Sequence, residues 1–255
     1  MAGPDARLRP DIIIKPVCGD MARCSVRPGP VSIGAEPVCS GERIVKKLHG
    51  SFACLLLLLC PALVLAQSLP VPREFYFDDD AHTTRPIVAV QGSGDEVIDR
   101  LASNMQRRTD DVESRAQLAR IAMQSDRTEL GHRLYGEALR AASGKVRLLR
   151  TVGWNYGWDL YRSGNAEGAL EQWSKLAGGW PAAPSWQPPT FALVLWTLGR
   201  QREAVEWYAA AVRTEPTLWG DPGNHERLLP DWTGRERAIL AEVHQAWQAS
   251  PSHRR

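Results

Sequence analysis

The apolar positions of this chain change character along its length. From Asp95 onward they recur three and four residues apart, the spacing that gathers them on one face of an α-helix. Val97, Ile98, Leu101 and Met105 predict a first helix over 95–108, and Leu118, Ile121 and Ala122 a second within 110–124. Leu130, Leu134, Tyr135, Ala138 and Leu139 make a third stripe. Asp126 and Glu129 read as its D-x-x-E start signal and Gly144 as its stop. Near the end of the chain, Thr233 and Glu236 read as a capping box ahead of Ile239, Leu240, Val243 and Trp247, predicting a helix over about 233–248. Residues 67–94 lack this period. Their prolines at 70 and 72, the run Pro86-Ile87-Val88-Ala89-Val90 and the closing Gly92-Ser93-Gly94 predict an extended arm with a short strand.

Between these helices the sequence repeats. Residues 150–181 align with 185–216 at an offset of 35, pairing Gly157 with Ala192, Gly164 with Gly199, and Ala169 with Ala204. Trp173 then meets Tyr208, and Pro181 meets Pro216. The sizes at these positions predict two packed helices per unit. Small residues stand where helices approach, an aromatic fills the gap one turn on, glycine makes the tight turn, and proline closes the unit. Residues 115–143 read as a degenerate third copy, with Ala119 as the small residue and Tyr135 as the aromatic.

On these residues the chain resembles the tetratricopeptide (TPR) family, whose pattern is W-x2-L-G-x2-Y…A-x3-F…P over about 34 residues. Tyr156-Gly157-x2-Leu160, Ala169-x3-Trp173 and Pro181 follow it in one copy. Phe191-Ala192-x2-Leu195, Ala204-x3-Tyr208 and Pro216 follow it in the next, and the leading tryptophan is absent from both. The resemblance implies an all-α fold: a short solenoid of about three helical hairpins over 95–250 with capping helices, preceded by the arm. It also implies a concave groove lined by the first helix of each repeat. Thr151, Trp154, Asn155, Trp158 and Arg162 would face it from one repeat, and Trp186, Pro189 and Leu193 from the next. Such a groove binds a protein or peptide partner, for which aromatic and arginine side chains are the usual anchors.

Ahead of residue 67 the composition differs. All five cysteines lie there, whereas all ten tryptophans lie after residue 153. Lys46-Lys47, the apolar run from Phe52 to Ala66 and the small residue at its end have the layout of a secretory signal over 45–66, cleaved after Ala66. The run is shorter than the roughly 20 residues a membrane span requires, so no stable span is expected after cleavage. Residues 1–44 then read as a mis-assigned start or a disordered extension. The expected location of the mature chain is periplasmic or secreted.

Charge and composition narrow the functions. Residues 67–255 hold 23 Lys and Arg against 24 Asp and Glu, which argues against a nucleic-acid partner. With no cysteine there, they offer no thiolate metal site and no cysteine nucleophile. The histidines are scattered, His225-Glu226 lacks a second histidine one turn on, and no phosphate loop or nucleophile elbow is present. Asp78-Asp79-Asp80 lacks the glycine and distal glutamate of a calcium loop and reads as a solvated acidic segment. Beside it, Phe75-Tyr76-Phe77 reads as a short peptide ligand for the molecule's own surface or a partner's. The expectation is therefore an exported adaptor without catalytic residues, cofactor or metal. The alternative is an accessory structural subunit of an envelope enzyme or transport assembly.

Overall fold

The computed structural model describes residues 69–251 apart from 79, 109–110 and 179–182. The chain divides into two units, 1–61 and 62–255, and every described residue lies in the second. The leader expected at 45–66, the extension before it, and Pro181 at the end of the first repeat fall outside the described residues.

The described part is all-α. Helix α1 (Asp95–Arg107) leads into three successive pairs: α2 (Val112–Gln124) with α3 (Thr128–Ala141), α4 (Val146–Arg162) with α5 (Ala166–Leu176), and α6 (Gln187–Thr197) with α7 (Gln201–Thr214). Two single turns, α8 (Pro216–Trp219) and α9 (His225–Leu228), precede the long α10 (Gly234–Ala249). Each pair packs most heavily on itself, α1 lies on α2, and α10 covers both α6 and α7. No strand forms among the described residues, so the short strand expected at Pro86–Val90 is absent and the stretch ends in a bend.

The three pairs share one turn. Asp126, Gly164 and Gly199 sit in it with φ of 59°, 89° and 74°, the left-handed region that favours glycine. The residue after each closes the same backbone bond onto the end of the preceding helix: Arg127 N–H to Ala122 O, Asn165 N–H to Leu160 O, and Arg200 N–H to Leu195 O, each at 2.9 Å. Asp126 therefore does not cap α3. Arg127 holds the N-cap position without a side-chain cap, and Asp126 supplies the left-handed residue where the other turns have glycine. Aspartate tolerates that conformation better than most residues, which is how an aspartate before an apolar stripe came to resemble a cap.

At the far end, the capping box forms as its sequence implies. Thr233 Oγ1 accepts from Glu236 N–H at 3.2 Å, and Glu236 Oε2 accepts from Thr233 N–H at 2.7 Å. Leu240, Val243 and Trp247 are buried, directing this face of α10 onto the α6–α7 pair.

Beneath α10 lies a buried polar cluster. The Tyr208 hydroxyl donates to Trp219 O at 2.6 Å, so its 3.0 Å contact with His225 Nε2 requires the imidazole to be the donor. Nδ1 of His225 has no partner among the described residues. Burial, reinforced by nearby His244 and opposed by Asp221, pushes the His225 pKa down from 6.5 to about 4. Between those values the folded chain binds fewer protons than the unfolded one. The His225 contribution to stability is therefore expected to be full above about pH 6.5 and to be lost as the pH drops toward 4, by up to about 3 kcal/mol. In urea titrations at pH 7 and pH 4.5, His225→Gln is expected to flatten this dependence. Identical acid sensitivity in the variant would assign it to other groups.

Candidate functional site

The described residues of 74–90 form no helix or strand, yet they are tied to the helices side chain by side chain. The carboxamide of Gln117 on α2 grips Val90 at both ends, accepting from its N–H at 2.9 Å and donating to its carbonyl at 2.7 Å. On α4, Asn155 does the same across two residues, accepting from Ile87 N–H at 3.1 Å and donating to Arg85 O at 2.8 Å. Arg150, also on α4, clamps Asp80 through Nε at 2.9 Å and Nη2 at 2.6 Å. The Trp186 indole adds a bond to Asp80 at 3.0 Å, and Ser185 Oγ donates to Asp78. Thr214 on α7 accepts from Phe75 N–H at 3.2 Å, and Arg213 pairs with Glu74 at 2.7 Å. The segment thus crosses the helices in reverse of their order in the chain.

These contacts correct the solvated reading of the acidic run. Asp80 is 1% exposed because Arg150 meets it with a fixed, two-pronged donor, while Asp78 is half-buried. Phe75 is buried as well, whereas Tyr76 and Phe77 stand in solvent.

Between this segment and the stretch 215–232 lies a cavity of about 530 Å³. Trp154, Trp158, Trp186, Trp219 and Trp232 form its aromatic walls, and Phe75, Pro86 and Pro189 extend the apolar lining. Trp158 packs edge-on against Trp154 at 6.0 Å and against Trp232 at 5.1 Å. Its other face carries the Arg162 guanidinium, 4.9 Å from the ring centroid. Arg162 is held there by Glu236 at 2.9 and 3.1 Å and by Asp231 O at 3.1 Å. Burial alone would raise the Glu236 carboxyl, but the bonds from Arg162 and Thr233 hold it below the usual range. Among the described residues, the buried indole N–H groups of Trp154, Trp158 and Trp219 have no hydrogen-bond partner.

The cavity also holds one buried carboxyl. Asp159, one residue after Trp158, accepts from the Tyr135 hydroxyl of α3. Burial raises its pKa, against the opposing pull of that bond and of Arg120 and Arg162. Burial beside the same carboxylate pushes the Tyr135 hydroxyl well above its ordinary value. Such a group can accept or donate a hydrogen bond to a ligand, and the Tyr135 hydroxyl is its hydrogen-bond partner. No cluster of His, Cys, Asp or Glu among the described residues has the geometry of a metal site.

Of the residues expected to line a groove, Trp154, Asn155, Trp158, Arg162 and Trp186 come together in the cavity wall, with Pro189. Two do not. Thr151 is buried outside the cavity, its hydroxyl bonded to Arg147 O at 3.0 Å. Leu193 is fully enclosed in the core, because α6 is covered by α7 on one side and α10 on another. Sequence reasoning missed Asp159, Arg120, Trp219, Asp231 and Trp232. Only Asp159 left a sign, as a charged residue inside the apolar run Trp158–Leu160 of a helix.

The class these features define is an all-α protein of stacked helical pairs, with an aromatic, acid-bearing cavity bounded in part by the non-helical segment that precedes them. No protein-family model, curated protein or solved structure matches the chain.

Proposed function

We propose that this chain is an exported, non-catalytic scaffold of the TPR type, which binds a peptide segment of a partner protein at the cavity. One observation carries the reading. The helices already hold a non-helical peptide segment, the described residues of 74–90, through side chains that address its backbone. Asn155 and Gln117 each satisfy both a carbonyl and an N–H of that peptide, a mode of recognition indifferent to its side chains. The cavity beside it offers what a second peptide segment needs: aromatic walls and unsatisfied indole donors for peptide carbonyls. The shared turn and the 35-residue offset support the family reading, and the signal-like 45–66 supports export.

The test is photo-crosslinking in the native host. A benzophenone amino acid at Trp154 or Gln124, both on the cavity, is expected to yield a reproducible protein adduct, and the recovered chain is expected to begin at Gln67. The same probe at Glu137 on α3 should yield none. Equal adducts from all three positions, or none from any, would overturn cavity binding. Recovery only within a large, fixed complex, with adducts from Glu137 alone, would favour an accessory structural subunit.

A further inference from the structure

We propose that the cavity receives a cationic side chain, lysine or arginine, presented by the bound peptide; the proposal rests on the peptide-binding reading above. The argument starts from which charges on the wall are already answered. Arg162 is committed to Glu236, whose carboxylate is not part of the wall. Arg120 lies close enough to Asp159 to favour its charged form. Asp78 accepts from Ser185 and from the Asp80 N–H at 3.0 Å, neither of which carries charge. Glu215 and Asp231 are exposed at the mouth and form no ion pair among the described residues. Asp78 and Glu215 therefore face the cavity without a matching cation, and Asp231 shares the Arg162 charge with Glu236 and Asp159.

The walls point the same way. Indole faces are electron-rich and attract cations within about 6 Å of the ring centroid. The protein already uses this once, with the Arg162 guanidinium 4.9 Å from the Trp158 ring. A lysine or arginine stem would lie along the apolar walls while its head reached the carboxylates at the mouth. The flanking peptide carbonyls would supply acceptors for the indole N–H groups, of which Trp158 and Trp219 are more than nine-tenths buried. An acidic side chain would meet like charge at the mouth. A cavity of about 530 Å³ has room for one long side chain and the backbone on either side of it.

The test uses the full chain and four nine-residue peptides of Gly, Ser and Ala, acetylated and amidated, with a central lysine, arginine, norleucine or glutamate. Binding is read from tryptophan fluorescence and confirmed by calorimetry. The lysine and arginine peptides are expected to bind at least tenfold tighter than the norleucine peptide, and the glutamate peptide more weakly still. That advantage should shrink between 50 and 500 mM salt. It should also be mostly lost in Glu215→Gln/Asp231→Asn, both exposed positions where the fold is expected to be unaffected. If norleucine binds as tightly as lysine, the cationic preference is overturned and the peptide reading stands. If acetyl-lysine methylamide binds while none of the peptides does, the site takes a free organic cation and the peptide source is wrong. If nothing binds, both readings fall.

Discussion

Replacing Asp80 with alanine is expected to lower the stability of the folded chain by about 3–5 kcal/mol. The side chain is enclosed and accepts from both prongs of Arg150, from the Trp186 indole and from Thr83. Only 8% of the Arg150 side chain is exposed, so removing Asp80 takes a charged partner from a guanidinium in a place water scarcely reaches. Taking both charges away costs less than removing one, so Asp80→Ala/Arg150→Met should recover part of the loss. Urea unfolding of the two variants beside the parent decides it. A parent-like midpoint for Asp80→Ala would mean that residues 74–90 leave the helices without cost and lie outside the cooperative unit. Hydrogen exchange at Ile87 and Val90, whose N–H groups are bonded to Asn155 and Gln117, would show the same release residue by residue.

How far the sequence spoke for this structure depended on whether a feature was periodic. The helical pairs rest on apolar spacing and on small residues at recurring positions, and both can be seen in one dimension. The capping box at Thr233 is a four-residue signal, and its two bonds form where those residues stand. Asn155, Trp154 and Trp158 follow from the face of a single helix, and α4 presents that face to the cavity. Leu193 breaks the correspondence between the two copies. It holds the place in α6 that Trp158 holds in α4, but α10 covers α6, and a repeat pattern does not say which unit a capping helix will lie against. The opposite wall of the cavity was illegible for a different reason. The stretch 215–232 contains only single turns, with no period to reveal that Trp219 and Trp232 face the same space. Asp80 was hidden by its company, since three consecutive acids look solvated until the arginine some 70 residues away is placed against one of them.

The occupied helical surface changes what binding at the cavity would require. A groove open along its length would let a partner replace water. Here residues 74–90 already hold the carboxamides of Asn155 and Gln117, and a partner lies beside that segment or competes with it. Competition would have to overcome the buried Asp80–Arg150 pair, so binding alongside is the less costly route. It leaves Pro86, Thr84 and Phe75 as a shared wall between the molecule's own peptide and the incoming one.

The repeat also supports an expectation about size matching between paired helices. Gly157→Ala is expected to destabilise the chain by about 2–3 kcal/mol, although alanine is the better helix former. A Cβ at that position would stand 2.2 Å from Trp173 Nε1 and 2.6 Å from Cδ1, well inside contact distance. The ring has no room to withdraw. It is fully enclosed, donates to Trp154 O at 3.3 Å and packs against Trp158 at 5.1 Å. The α6–α7 pair meets the same demand differently, with Ala192 for the glycine and Tyr208 for the tryptophan. One helix carries a carbon more and the facing ring is smaller. Trp173→Tyr in the Gly157→Ala chain should therefore restore much of the loss, although Trp173→Tyr alone leaves a void and weakens the fold. A double-mutant cycle from urea midpoints is expected to give a favourable coupling above about 1 kcal/mol. Additive losses would mean that backbone movement absorbs the added methyl. The glycine–tryptophan and alanine–tyrosine pairs would then be two tolerated combinations, with no size constraint linking their members.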